Sequence, residues 1–473
     1  MQGRDGEGSS ELIVKSQNAD WWAYDVEEKG LRIVVRIRLQ RTIRHPLNTL
    51  PAYGMRMHSR SSSLSLLFAA LLTVGCASTK TLQHPVQPES QVRGPEFRQA
   101  MGSVLGSGFV DGNRITTLSN GDQIFSAMLA GIRSAKRTIT FETYVFEKGE
   151  VPGAFAEALA ERARAGVKVH AMLDAHGASK SRTYHALLRD AGVELEIYHP
   201  IWHYDPRRYN NRTHRKLLVI DGKVGFIGGV GIADPWRGNA QSPEHWRDLH
   251  YRVEGPVVAH LQGAFMDNWL KTRGTLLHGP AYFPPLSTAG SAKAAAFHSS
   301  PRKGSIGVVL MFQLAIASAR ESLLIGNAYF VPDEHNVQAL IDAARRGVRV
   351  ELLVPGRPID QKAVRRASHK RWGRLLEAGV KIYEYQPTMI HSKLLIADGL
   401  FVSVGSANFD NRSMRLNDEA NLNVLDRAFA AEQTRIFARD RAQSIEITPE
   451  NLRDRTLTSA PLRVAQTPLE SQL

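Results

Sequence analysis

Short apolar strands and amphipathic helices alternate through the middle of the chain. TITFETYVFEKG, from Thr138, has the β-branched and aromatic pattern of a strand. AFAEALAERARAGVKVHAML, from Ala154, predicts a helix that runs into a strand, and LLRDAGVELEIYHP, from Leu187, predicts another helix and strand. Because strands alternate with helices, the pattern indicates an α/β fold with mostly parallel strands covered by helices.

The same order of elements then occurs a second time. LLIGNAYFVP, VQALIDAARRGVRVELLVPG and LLEAGVKIYEYQP follow one another from Leu323, and ARRGVRV resembles the earlier ARAGVKV. The repetition predicts two similar halves, 110–286 and 308–445, each a mixed, mostly parallel sheet flanked by helices. A segment rich in Ser, Ala and Gly, 287–307, is the expected joint, and 446–473 the expected C-terminal tail.

Each half contains one apolar strand that polar residues interrupt at the same spacing. The two motifs lie within 208–235 and 385–412. Their shared residues are His214, Lys216 and Asp221 in the first motif and His391, Lys393 and Asp398 in the second. Residues two apart in a strand share a face, so the histidine and lysine of each motif are expected to point the same way.

Two histidines and two lysines that meet in one pocket can cleave a phosphodiester. One imidazole attacks phosphorus while the other protonates the departing oxygen. The lysines neutralise the phosphoryl oxygens, a task that metal ions perform in other enzymes. The sequence has no HExxH motif or paired cysteines, so we expect neither a metal nor another cofactor.

The carboxylates fall into two groups. Asp221 and Asp398, counted with the motifs as catalytic candidates, lie seven residues after their histidines, roughly 23 Å along an extended strand. Each precedes a glycine, and Asp-Gly between apolar runs favours a hairpin, so we expect both to shape turns. Asp248 and Glu419, which return later in each half, are the better candidates to orient the imidazoles.

The duplicated His-x-Lys-x4-Asp pattern, with GSAN ending at Asn408, resembles the phospholipase D superfamily. The resemblance implies one active site packed between the two halves and a covalent phosphohistidine intermediate. By the same resemblance, His214 is the expected nucleophile and His391 the expected acid. Ser406 is an expected supporting residue, and Asn408 is expected in the phosphate site.

Within that superfamily, HRKLLVIDGKVGFIGG and HWRDLHYRVEGPVV are similar to bacterial cardiolipin synthases. Those enzymes transfer a phosphatidyl group from one phosphatidylglycerol to another and release glycerol, which implies an anionic phospholipid membrane as partner and no nucleic acid. One departure is Gly231, where the family usually has asparagine. Hydrolysis by a phospholipase D, or a nuclease-type phosphodiesterase, remains an alternative.

Charge and amphipathicity agree with an anionic partner without requiring one. The 473 residues carry a net charge of +14, which favours phospholipid or nucleic acid but also fits a merely basic protein. DQKAVRRASHKRWGRLLEAG predicts a basic amphipathic helix, suited either to a membrane surface or to packing on the sheet. The loop IWHYDPRRYNNRT adds ten residues before the first motif, and Arg207, Arg208 and Arg212 in it either grip a phosphate or are solvated.

The N-terminal part resembles a bacterial lipoprotein signal. In MRMHSRSSSLSLLFAALLTVGCAS, from Met55, arginines precede an apolar run shorter than the roughly 20 residues that span a bilayer. The pattern predicts a signal peptide over 55–75, lipidation of Cys76 and a tether over 76–109, with 1–54 an over-extended start. We therefore expect a lipoprotein of the bacterial envelope that faces the periplasm, or otherwise a peripheral membrane protein.

Overall fold

A computed structural model describes residues 12–15, 21–24, 82–200 and 210–452 of the chain. The chain divides into two compact units, 1–74 and 75–473. In the first unit, β1 (Leu12–Lys15) and β2 (Trp21–Tyr24) pair as an antiparallel hairpin. The predicted signal peptide and Cys76 lie outside the described residues.

The second unit contains two successive sets of elements. The first set is α1 (Pro95–Leu105), β3 (Val110–Ser119), α2 (Asn120–Ser134), β4 (Thr138–Thr143), α3 (Glu150–Arg164), β5 (Lys168–Asp174), α4 (Arg182–Asp190), β6 (Glu194–Tyr198), β7 (Leu217–Ile220), β8 (Val224–Gly228), β9 (Leu249–Glu254) and α5 (Val258–Arg273). The second set is β10 (Ala292–Ser299), α6 (Gly307–Ser318), β11 (Ser322–Asn327), β12 (Phe330–Val331), α7 (Glu334–Arg345), β13 (Arg349–Pro355), α8 (Lys362–Glu377), β14 (Lys381–Tyr385), β15 (Lys393–Ala397), β16 (Phe401–Gly405), β17 (Phe409–Asp410), α9 (Asn411–Arg415), β18 (Glu419–Leu425), α10 (Arg427–Ala442) and β19 (Ser444–Ile447).

One continuous sheet runs through both halves. Its strand order is β19-β14-β13-β11-β15-β16-β18-β10-β3-β9-β8-β7-β4-β5-β6. The antiparallel pair β10–β3 joins the halves, and the order of equivalent strands is the same on both sides of that junction. The α/β class and the two similar halves are therefore confirmed.

The parallel share of this sheet is smaller than expected. Parallel pairing is confined to β4-β5-β6 and β11-β13-β14, where helices make the crossovers. The motif strands form the antiparallel hairpins β7–β8 and β15–β16. Short Asp-Gly turns join the strands of each hairpin, and such a turn allows only antiparallel neighbours.

The expected tether, 76–109, is corrected over its described part, because it includes helix α1. Pro95 occupies the first turn, and Gly106 ends the helix in the left-handed conformation with φ 69°. Phe97 and Met101, one helical turn apart, are fully buried in the core of the second half. Burial of this apolar stripe orders a segment whose flanks have linker composition.

The expected joint and tail also contain strands. Within 287–307, β10 lies at the centre of the sheet and pairs with both β18 and β3. Its alanines Ala294 and Ala296 are buried between the halves, where small side chains allow close packing. The second half therefore begins at β10 rather than at 308. At the other end, β19 pairs with β14 at the sheet edge and includes the start of the expected tail.

Among the described residues, three large apolar clusters hold this unit together. One lies in each half, and the third lies between them, with Leu249 and Tyr251 against Leu422 and Val404. The predicted basic helix, α8, buries Val364, Ala367, Trp372 and Leu375, so one face packs on the body of the protein. In the described part of the chain, we find no helix long and apolar enough to cross a membrane.

Candidate active site

Both motif histidines precede their strands and are fixed by the opposite half. The His214 N–H donates to the Asp418 carbonyl at 2.8 Å, and the His391 N–H donates to the Arg247 carbonyl at 2.7 Å. The N–H groups of Asp418 and Arg247 return bonds to the carbonyls two residues before each histidine. A short segment of each half thus forms a parallel bridge with the segment before the histidine of the other half, at Thr213–Asp418 and Arg247–Ile390.

The bridged segments bring an acid to each imidazole. His214 Nδ1 lies 2.9 and 3.0 Å from the two carboxylate oxygens of Glu419. His391 Nδ1 lies 2.9 Å from Asp248 Oδ2. Each pair joins a histidine of one half to the carboxylate of the other, so neither half contains a complete pair. Asp248 and Glu419, the candidates that the sequence offers to orient the imidazoles, thus lie within hydrogen-bond distance of them.

The two carboxylates receive different additional hydrogen bonds. Glu419 accepts the hydroxyls of Ser406 at 2.5 Å and Ser413 at 2.7 Å. Asp248 instead accepts the indole Nε1–H of Trp236 at 2.9 Å. Ser406 therefore acts on the site through Glu419. Trp236 and Ser413 are equivalent positions, 177 residues apart, so the halves support their acids with different side chains.

Each motif lysine donates a hydrogen bond to the carbonyl of its own histidine and lies over a tyrosine ring. Lys216 Nζ donates to the His214 carbonyl at 2.6 Å, and its distance to the ring centroid of Tyr144 is 5.6 Å. Lys393 Nζ donates to the His391 carbonyl at 2.6 Å and lies 5.7 Å from the centroid of Tyr329. Sequence reasoning missed both tyrosines, although each follows the equivalent strand, in TITFETYVF and LLIGNAYFV.

Burial sets the protonation states of this site. It lowers the pKa of His214 and of His391 to about 4, although the neighbouring carboxylates oppose the shift. It also lowers the pKa of Lys216 to about 7 and of Lys393 to about 8.

Burial raises the pKa of Asp248 and Glu419, but the hydrogen bonds and charges of the histidines and lysines outweigh it and hold both below their usual range. At neutral pH each imidazole is therefore neutral. It donates Nδ1–H to a carboxylate, which leaves Nε2 as the acceptor nitrogen of the ring.

The histidines open into a cavity of about 430 Å³ between the halves. The first half lines it with Tyr144, Val145, Glu147, Arg212, His214, Lys216, Ala233, Pro235, Trp236 and Trp246. The second half lines it with Tyr329, Asp360, Gln361, Val364, His391, Asn408, Asp410, Arg412 and Asn417. The predicted Arg212 and the unpredicted Arg412 bring cations to the cavity, whereas Arg207 and Arg208 lie outside the described residues. Burial raises the pKa of Asp410 to about 7.

The motif aspartates serve the turns, as expected, and neither lines the cavity. Asp221 and Asp398 both have φ 51°, the left-handed conformation that aspartate tolerates. The Asp221 carboxylate accepts backbone N–H bonds from Lys136, Arg137 and Thr138, and that of Asp398 from Arg320, Glu321 and Ser322. Counting them as catalytic residues is corrected, because these bonds tie each hairpin to the start of β4 or β11.

The departure at Gly231 has a steric explanation. A Cβ at this position would lie 2.8 Å from Val145 Cβ and 2.9 Å from the ring of Trp236. Trp236 therefore fills the space beside residue 231. The equivalent residue of the second half, Asn408, lines the cavity, and within residues 82–200 and 210–452 its buried Oδ1 has no hydrogen-bond partner. Across 82–200 and 210–452, no group of three or more His, Cys, Asp or Glu side chains is placed to hold a metal ion.

Comparisons with known proteins agree with the duplicated site. The family model described as cardiolipin synthase, PLD-like domain, matches residues 128–237 and 313–441. A cardiolipin synthase of Geobacillus kaustophilus is 38% identical over 313 residues, which are 65% of this chain and 62% of that protein. Cardiolipin synthase A of Pseudomonas aeruginosa is 35% identical over 379 residues, which are 80% of this chain and 77% of that protein.

A solved structure shares the fold at low sequence identity. The phosphatidylserine synthase of Haemophilus influenzae superposes with a TM-score of 0.59 at 14% identity and covers 80% of this chain and 100% of its own. At that identity the likeness concerns the fold alone. The family match covers both halves and includes both histidine motifs. The chain therefore belongs to the phospholipase D-like family of cardiolipin synthases.

Proposed function

We propose that the protein is a phosphatidyltransferase of the cardiolipin synthase type. It moves a phosphatidyl group from one phosphatidylglycerol to a hydroxyl of a second and releases glycerol. The observation that carries this proposal is the crossed pair of histidines, each bonded to a carboxylate of the opposite half at one cavity. Two such imidazoles beside two buried lysines match a double displacement at phosphorus.

In the first step, His214 Nε2 attacks the phosphorus of phosphatidylglycerol. A P–N bond forms, the P–O bond to the head-group glycerol breaks, and protonated His391 gives its proton to the departing oxygen. Although burial lowers the pKa of His391 in the free protein, a bound phosphate anion favours its protonated form. Glu419 stabilises the positive charge that develops on His214.

In the second step, a hydroxyl of another phosphatidylglycerol gives its proton to neutral His391 and attacks phosphorus. The P–N bond breaks, cardiolipin leaves, and both histidines return to their starting states. Lys216 and Lys393, with Asn408, would hold the phosphoryl oxygens in both steps.

The lipid acyl chains require a membrane next to the cavity. The α8 helix starts beside the cavity, where Gln361 and Val364 contribute to its lining, and exposes Lys362 and Arg366. We propose that this basic face meets an anionic bilayer and that Cys76, if lipidated, anchors the chain on the periplasmic side of a bacterial envelope. Release of the protein from phosphatidylglycerol vesicles by salt, and its loss from the membrane in Cys76→Ser, test these two points.

The direct experiment is to incubate the protein with phosphatidylglycerol vesicles and to identify the products by mass spectrometry. We expect cardiolipin and glycerol. His214→Ala and His391→Ala should each lower turnover by at least a thousandfold, because each step needs both imidazoles. His278→Ala, which removes an exposed histidine, is the matched control and should leave turnover unchanged. Phosphatidic acid as the only product would replace transfer by hydrolysis.

A further inference from the structure

A short extended segment lines the cavity in each half. In the second half, Phe409 pairs in parallel with Phe330, as part of β17 and β12. In the first half, Ile232 makes the equivalent parallel bridge with Phe146. Successive residues of an extended segment face opposite sides. Phe409 and Ile232 themselves are buried in the cores, and flanking residues of both segments line the cavity.

Those flanking residues differ in polarity between the halves. The second half has Asn408 and Asp410, and the first half has Gly231 and Ala233 at the same 177-residue spacing. Asn408, Asp410 and Ala233 all line the cavity. At these flanking positions the pocket therefore has polar side chains in the second half only, although the two halves share one backbone plan. We call Asn408 and Asp410 the polar wall.

The polar wall offers hydrogen-bond acceptors that lack donors. Asp410 Oδ1 accepts the Ser413 N–H at 2.8 Å, and no residue in 82–200 or 210–452 is hydrogen-bonded to Asp410 Oδ2. Asn408 Oδ1 is buried and likewise has no partner in that part of the chain. Buried acceptors normally find donors. An ionised phosphodiester brings only further acceptors, whereas hydroxyl groups donate.

We infer that the polar wall binds the hydroxyl groups of the alcohol that leaves and enters the site, and so makes the enzyme select a polyol over a simple alcohol. This inference rests on the proposed phosphatidyl transfer and adds a specificity site to it. A hydroxyl of glycerol, or of the glycerol head group of phosphatidylglycerol, donates to Asp410 Oδ2, and a second donates to Asn408 Oδ1. The equivalent wall of the first half, with Gly231 and Ala233, has no side-chain acceptor to offer.

Competition between two acceptors tests this selection. Phosphatidylglycerol vesicles are incubated with the protein, deuterated glycerol and an equal concentration of 1-propanol. Mass spectrometry then gives the ratio of deuterated phosphatidylglycerol to phosphatidylpropanol. The ratio is independent of the amount of folded enzyme. We expect the unaltered protein to favour glycerol and Asp410→Asn to lower the ratio about tenfold, because the amide places an N–H donor where Oδ2 accepts in the unaltered protein.

In the Asp410→Asn variant, the new amide oxygen would still accept the Ser413 N–H as a helix N-cap, so the fold is retained. Asp410→Ser, which also caps a helix but withdraws the acceptor from the cavity, should lower the ratio similarly. Glu147→Gln makes the same charge change on the opposite side of the cavity and should leave the ratio as in the unaltered protein.

The outcomes separate the two proposals. If the unaltered protein forms only phosphatidic acid, phosphatidyl transfer itself is refuted. If it forms both alcohol products and neither Asp410 variant changes their ratio, the polar wall does not select polyols. If both variants melt normally but lose all turnover, Asp410 serves the cleavage step common to every acceptor, and the selective role is overturned.

Discussion

Replacing two residues of the first half by their counterparts in the second half tests whether Gly231 and Trp236 are sterically coupled. Trp236 is buried, donates to Asp248 and packs edge-on against His391 with ring centroids 5.2 Å apart. Its ring occupies the space that any side chain at Gly231 would need. We therefore expect Gly231→Asn and Trp236→Ser, which install the residues found at Asn408 and Ser413, to compensate one another.

The contacts give the size of each effect on the free energy of unfolding. Gly231→Asn places atoms within 3 Å of Val145 and the Trp236 ring, an overpacking that costs about 1–3 kcal/mol. Trp236→Ser empties a buried ring site, which costs about 3–5 kcal/mol. In the double variant the asparagine side chain enters the emptied space. The combined loss should then be about 1–2 kcal/mol smaller than the sum of the single losses.

Guanidinium unfolding followed by circular dichroism measures the three free energies, since fluorescence would change with the loss of tryptophan. Combining Gly231→Asn with Trp269→Phe, in the apolar cluster between the halves, is the control pair and should be additive. Additivity of Gly231→Asn and Trp236→Ser within about 0.5 kcal/mol would refute the steric coupling.

Two further predictions concern stability. Asp398→Ala should lower the free energy of unfolding by about 2–4 kcal/mol, since three backbone donors lose a charged acceptor and alanine is strained at φ 51°. The folded variant should keep its turnover. Thermal melts paired with activity assays check this, and lost turnover with an unchanged melt would contradict it. The free energy of unfolding should also fall as pH is lowered from about 6.5 to 4, because His214 and His391, with pKa values near 4 when buried, bind protons more readily once unfolded. Denaturant unfolding across that range gives the slope of this free energy against pH. The slope should be shallower for His391→Gln than for the unaltered protein, and equal slopes would contradict the cause.

Local spacing was enough to predict much of the site. The repeated motif identified the two histidines and lysines, and the glycine after Asp221 and Asp398 indicated turns. The distance along the strand excluded these aspartates as orienting acids and directed attention to Asp248 and Glu419. These inferences needed only the fixed geometry of strands and hairpins.

Features that depend on contacts between distant segments escaped the same reasoning. His214 and Glu419, which form a hydrogen bond between the halves, are 205 residues apart in the chain, so no local pattern encodes this contact. The composition of 76–109 predicts a tether, because Phe97 and Met101 form an apolar stripe that is stabilised only by the distant core in which it is buried. Likewise, the sequence alone gives no reason for Gly231, because the Trp236 ring comes close to it only in the folded protein.

In the reaction proposed above the two histidines act differently, although the fold that holds them is duplicated. Both have a buried carboxylate at Nδ1 and a lysine at the carbonyl, so these contacts alone give each the same chemistry. The differences are concentrated in one short stretch after each motif, where an indole in the first half replaces a serine hydroxyl in the second. Because that stretch forms opposite walls of one cavity, a few substitutions make the two walls differ while both histidines keep their carboxylate partners. The glycine at 231 is part of this difference, since the space that a side chain there would need is occupied by Trp236, which donates to Asp248.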